Sequence, residues 1–183
     1  MPNVPKWIEE VLRFWFQEVR PQAWFVRDEG VDGEIRKRFG ALHASLIEKV
    51  PAAVTTTPLG ALATVLVLDQ FSRNLYRNSP RAFAADPTAL AIANDAIAAG
   101  FDRELDPRQR AFLYMPLQHS EDRAVQARSV ELFGALGDER TLDYARQHRD
   151  VIERFGRFPH RNRILGREST AEEIEFLKTH PGF

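Results

Sequence analysis

The sequence predicts an all-α protein, and three observations carry that expectation. Apolar residues recur at helical spacing through nearly the whole chain. Cap residues stand directly before proline, or three places before glutamate, at several points where a helix would start. No stretch alternates apolar and polar residues over the length of a strand.

Taken in order, Trp7, Ile8, Val11, Leu12, Trp15 and Phe16 trace one buried helical face, which Pro21 closes. Asp32 is the expected cap of a second helix, which carries Ile35, Phe39, Leu42, Leu46 and Ile47 and stops at Pro51. Thr57-Pro58 opens a third helix, running to the neighbourhood of Tyr76. Asp86-Pro87 opens another that ends at Gly100, and Asp106-Pro107 repeats the device. Pro116 should kink or break the helix it interrupts, because it lacks the amide hydrogen and clashes with the preceding turn. Ser120 is the expected cap of a helix reaching Gly137, and Asp138 caps the next, which ends at Gly156. A capping box at Ser169/Glu172 or Thr170/Glu173 starts a short terminal helix. The result is about eight helices in antiparallel pairs with short connections, a degenerate tetratricopeptide-like array in one domain over 1–183.

Composition narrows the function classes. With 44% hydrophobic residues and 13 phenylalanines, the chain can bury one sizeable core. A net charge of −1 argues against a general nucleic-acid or membrane-surface binder, which needs a broad basic field. The absence of cysteine excludes disulfides, thiolate metal sites and a cysteine nucleophile. Glu9, Glu10 and Arg13 interrupt any leader-like apolar run. The apolar stretch Leu59 to Leu68 is about half of the roughly 20 residues a bilayer span needs. The expectation is a soluble, cytoplasmic protein.

Three polar segments stand out from the helical pattern. In the third helix, Asp69 and Arg73 are four apart with the acid first, the favourable order for an ion pair, and Gln70 and Asn74 repeat the spacing one step around. Arg77 and Arg81 extend its basic edge. Around Pro116, a helix break would let His119 and Glu121 point into one space, with His119 as a proton-transfer group and Glu121 fixing its tautomer or acting as base. The third segment, Arg154 to Arg167, holds five arginines, His160 and Asn162 and no acid, and His148 lies on the helix leading into it. Arg157 and Arg161 are forks suited to carboxylates and phosphates. Each segment also has a structural reading: an intrahelical pair on a wet face, a cap with a first-turn acid, and arginines fastening the last helix.

Other devices are missing. The five histidines show no metal-ligand spacing, so no metal is expected. The scattered glycines form neither a P-loop nor a dinucleotide fingerprint, no G-x-S-x-G elbow is present, and no cofactor is expected.

Three motifs together resemble a known family. LDQFSRN at Leu68 to Asn74 with Tyr76-Arg77, MPLQHSED at Met115 to Asp122, and RFGRFPHRNRILGREST from Arg154 to Thr170 are similar to the bacterial domain of unknown function 924 family. VLRFWF at Val11 to Phe16 and Trp24-Phe25 agree, whereas Val31-Asp32 departs from the Phe-Asp typical of the family. The resemblance implies an all-helical, tetratricopeptide-like, soluble bacterial protein, and supplies no activity. Its motif residues coincide with the three polar segments. The sequence therefore points to one enclosed site for a small anionic ligand. Asp69, Gln70, Arg73, Asn74, Arg77, His148, Arg157, His160, Arg161 and Asn162 are its candidate binding residues, and His119 and Glu121 its candidate acid/base pair. The other reading is a helical-repeat module that binds an acidic peptide, its polar motifs forming a structural network.

Overall fold

The computed structural model describes residues 5–182, which form helices joined by turns, with no strand among them. Helix α1 (Lys6–Arg13) widens into a π-helical segment at Phe14–Glu18, and the chain leaves helical geometry at Val19, before Pro21. Helix α2 (Glu29–Glu48) is capped by Asp28, whose side chain accepts the Val31 amide hydrogen. Asp32, the expected cap, instead sits in the first turn with its carboxylate buried. The helix starts one turn earlier because Asp28 satisfies the orphan amide and the glycines at 30 and 33 are tolerated in its first turns.

Helix α3 (Pro58–Val65) starts at the Thr57 cap as expected, passes through a π segment at Leu66–Phe71 and ends in the turn Ser72–Leu75. Gly60 is obligatory there, since a Cβ would lie 2.0 Å from the Val54 carbonyl oxygen. Helix α4 (Asp86–Ala98) has Ala85 at its cap position, so Asp86 is a first-turn acid rather than the cap. Its carboxylate is occupied elsewhere, by Arg73. Gly100, at φ +78°, reverses the chain after it.

Helix α5 (Pro107–Gln118) is capped by Asp106, which accepts from the Arg108 and Gln109 amides. Pro116 lies inside it without breaking it. The proline falls in the last turn, so the helix absorbs it and stops two residues later. Asp122, not Ser120, caps α6 (Arg123–Gly134), while Ser120 Oγ accepts the Asp122 amide hydrogen just outside. Helix α7 (Glu139–Phe155) has the expected Asp138 cap and Gly156 stop, the latter left-handed at φ +69°. The Thr170/Glu173 alternative proves to be the capping box of α8 (Ala171–Leu177).

The chain divides into two compact units where its length suggests one domain. The first runs to Arg77 and resumes over Arg81–Pro116; the second holds Asn78–Pro80 and the chain from Leu117 onward. The core of the first is aromatic. Phe14 and Phe39 lie 5.2 Å apart between ring centroids, Phe39 and Phe71 5.2 Å, and Trp15 and Phe112 5.6 Å. Such tilted and edge-to-face pairs add to the stabilisation from burial. In the second unit α6 packs along α7, and Val151, Ile152 and Phe158 form a core flanked by Phe155 and Phe176. No helix among the described residues is long and apolar enough to cross a membrane.

Candidate functional site

The predicted polar residues separate by unit. In the first, the π segment turns Asp69 fully inward, where it meets Arg73 at 3.2 Å and the Gln70 amide at 2.7 Å. Gln70 Nε2 also approaches Met115 Sδ at 3.3 Å. Arg73 reaches Asp86 with both terminal nitrogens, at 2.9 and 3.0 Å. Burial alone would weaken the hold of Arg73 on its proton, but the Asp69 and Asp86 charges reverse this and raise its pKa. One turn on, Arg77 forks onto Asp32 at 2.5 and 2.8 Å, and Asn74 donates to the same carboxylate at 2.8 Å. Burial pushes Asp32 up, yet the Arg77 and Asn74 hydrogen bonds hold it below the ordinary range.

The second unit gathers the other two segments. Gln126, fully buried on α6, donates through Nε2 to the carbonyls of Gln118 and Ser120, both at 2.7 Å. The turn presenting His119 is thus clamped on either side of it. His119 and His148 lie 6.3 Å apart between centroids, and His148 stands edge-on to Phe158 at 5.6 Å. His160 is 5.6 Å from the same ring, and the Arg161 guanidinium stacks over it at 4.5 Å. Two imidazoles and one guanidinium therefore surround a single buried phenyl ring, and the His119 ring stands beside one of the two.

These groups act on one another. Burial, then the His119 charge, pushes His148 down to about 3. Burial, then Arg161, lowers His160 to about 4. Both rings are neutral at pH 7. Glu121, on the same turn as His119, accepts the Phe158 amide at 2.7 Å and both Arg167 terminal nitrogens at 2.7 and 3.0 Å. Burial raises its pKa, but Arg167 and the Phe158 amide more than offset this and hold the carboxyl low. A carboxylate saturated in this way is a weak base, and its visible work is to fix the loop carrying Phe158.

Arg157 turns away from the cluster and onto Glu173, at 2.7 and 2.8 Å, the acid that also receives Asn162 Nδ2 and the Thr170 amide. The Arg157 hydrogen bonds hold Glu173 down to about 2. Asn162, fully buried, takes Arg167 Nε on its carbonyl oxygen. Two shallow surface depressions, one including Lys6, Glu10 and Arg13 and the other Phe14, Glu18 and Arg38, are lined by none of the predicted residues. No group of three or more histidines and acids among the described residues is arranged to hold a metal ion.

Sequence reasoning missed Gln126, Gln118, Arg167, Glu173, Asp32 and Asp86 as members of these networks. The capping box was the one available signal, since it marks Glu173 as an acid placed by its helix.

Comparison with known proteins agrees with the motifs. No curated protein matches the chain. A solved structure of a protein of unknown function from Agrobacterium tumefaciens is 36% identical, with a TM-score of 0.92, over 97% of this chain and 100% of that one. The family model described as bacterial protein of unknown function (DUF924) matches residues 11–181. With nearly its whole length matched, the chain belongs to the DUF924 family.

Proposed function

We propose that the second unit binds a small oxyanion, a phosphate or carboxylate group, at His119, His148, His160 and Arg161. The supporting observation is the gathering of two imidazoles and a guanidinium around Phe158, with the His119 ring next to His148, beside an acid already engaged by Arg167. An oxyanion entering that cluster meets donors and positive charge without competing against an open carboxylate. His119, half-buried in its clamped turn, is the group placed for proton transfer if the bound metabolite reacts.

The test is thermal unfolding with and without inorganic phosphate at constant ionic strength. Phosphate should raise the midpoint of the wild type and of Arg73→Gln, and fail to raise that of Arg161→Gln. A shift that persists in Arg161→Gln removes the site.

For the first unit a second reading is favoured by a specific observation. Arg73 and Arg77 are each forked onto carboxylates of the same unit, which supports a bracing network rather than a binding face. The tetratricopeptide-like reading belongs to the proposal as well. It draws support from α6 and α7, packed together across the short connection 135–138.

A further inference from the structure

We propose that Trp24, Phe25 and Val26, with Arg108 at their edge, form a docking surface for an acidic peptide segment that carries an aromatic side chain. The surface belongs to the first unit and shares no residue with the oxyanion site proposed above, so each stands or falls alone. Phe25 is 65% exposed and Val26 56%, the two most exposed large apolar side chains among the described residues.

Apolar residues scattered singly over a surface need no explanation. Here two are consecutive, and the ring is braced. Phe25 lies parallel to buried Phe112, with 7° between the planes and 6.1 Å between centroids, which leaves its other face to solvent. Trp24 stands edge-on to both rings, 5.0 Å from Phe112 and 6.3 Å from Phe25. Its indole Nε1 donates to the Trp15 carbonyl at 3.0 Å, which fixes the plane of the ring. A platform ordered before binding loses little further freedom when a partner arrives.

Charge says what the platform receives. The Arg108 guanidinium lies 5.6 Å from the Trp24 ring centroid. Its backbone is held at the start of α5 by Asp106, whose carboxylate accepts the Arg108 and Gln109 amides at 2.9 Å. Arg108 is exposed and forms no ion pair among the described residues. A guanidinium resting on an aromatic face keeps its fork of donors for a carboxylate. Aromatic side chains and arginine are also the types that dominate the energy of protein interfaces. An acidic segment with one aromatic side chain answers both parts, its ring stacking on Phe25 and its carboxylate pairing with Arg108. Nucleic acid fits less well, because a chain of net charge −1 supplies no broad basic field. A second copy docked on the same patch would bring two Arg108 guanidiniums into one interface.

Fluorescence anisotropy tests the proposal with a short fluorescein-labelled peptide, phenylalanine flanked by glutamates, at low ionic strength. Saturable binding with a Kd of about 0.1 mM is expected of so small a surface. Alanine in place of the peptide's phenylalanine, or Phe25→Ser in the protein, should weaken binding at least about five-fold. Arg108→Glu should weaken it by a similar factor and turn the preference to the same peptide with lysines in place of glutamates. No saturable binding, or binding that either protein substitution leaves unchanged, overturns the proposal. So does tighter binding of a uridine oligonucleotide than of the peptide, or a dimer in sedimentation velocity that Phe25→Ser dissolves. Should either substitution unfold the chain, the Trp24 indole resonance of the wild type decides. It should shift when the peptide is added, and a fixed resonance overturns the docking surface.

Discussion

The polar groups of the two units differ in charge balance and in residue type. In the first unit two carboxylates close on Arg73 and one on Arg77. Groups matched in this way hold helices in register and leave little for a ligand to gain. In the second unit the carboxylates go to other partners, Glu121 to Arg167 and Glu173 to Arg157, while the neutral His148 and His160 rings and Arg161 collect around Phe158, with His119 beside His148. Similar sequence signals, basic residues beside Asn and Gln, thus yield a brace in one place and, in the other, the imidazole and guanidinium cluster proposed to bind an anion. What separates them is where the acids go.

Substitutions can break this contrast, and the largest effect belongs to the brace. Arg73→Gln leaves the fully buried Asp69 carboxylate without its cation, and should cost about 3–5 kcal/mol in urea unfolding while phosphate binding survives. Loss of phosphate binding in the folded variant would join the two networks functionally.

Acid should discriminate next. His148 and His160 have folded-state pKa values of about 3 and about 4, below the ordinary 6.5, so the unfolded chain takes up more protons between those limits. Their stabilisation is full above pH 6.5 and is lost as pH falls toward 4 and then 3. Each ring should contribute a loss of about 2–3 kcal/mol by pH 4.5 in denaturant titrations, and His148→Phe should remove about half of the total. A pH slope that this variant leaves unchanged would show that His148 is not one of the titrating groups.

Gln126→Ala removes two hydrogen bonds from the His119 turn and should cost about 2 kcal/mol while weakening phosphate binding. If only stability moves, the clamp serves the fold and not the site. The smallest effect belongs to the exposed pair Arg154–Glu172, where Arg154→Ala should change stability by about 0.5 kcal/mol or less and leave phosphate binding intact.

The helix starts at Thr57, Asp106, Asp138 and Thr170 are legible in the sequence because capping is local, settled within three or four residues. Asp28 and Asp32 could each cap α2, and only the burial of Asp32 against Arg77 decides between them. The π segments have no sequence signature of this kind. The candidate residues were legible as types, but their partners were not. Arg77 and Asp32 are 45 positions apart, and Arg167 and Glu121 are 46. Spacing rules for single helices do not reach that far. For the same reason Arg157 read as a ligand fork until Glu173 was placed beside it.

The Arg154–Arg167 stretch also has a consequence for proteolysis. Five arginines in fourteen residues would ordinarily be an open invitation to trypsin, which must draw an extended arginine into its specificity pocket. Here Arg157 is bound to Glu173, Arg161 lies buried over Phe158, and Arg167 is bound to Glu121. Arg163, exposed on the surface, is the arginine in the middle of the stretch most open to the enzyme. A first nick at the Arg163–Ile164 bond, in place of a ladder of cuts, would be the digestion pattern of an intact second unit.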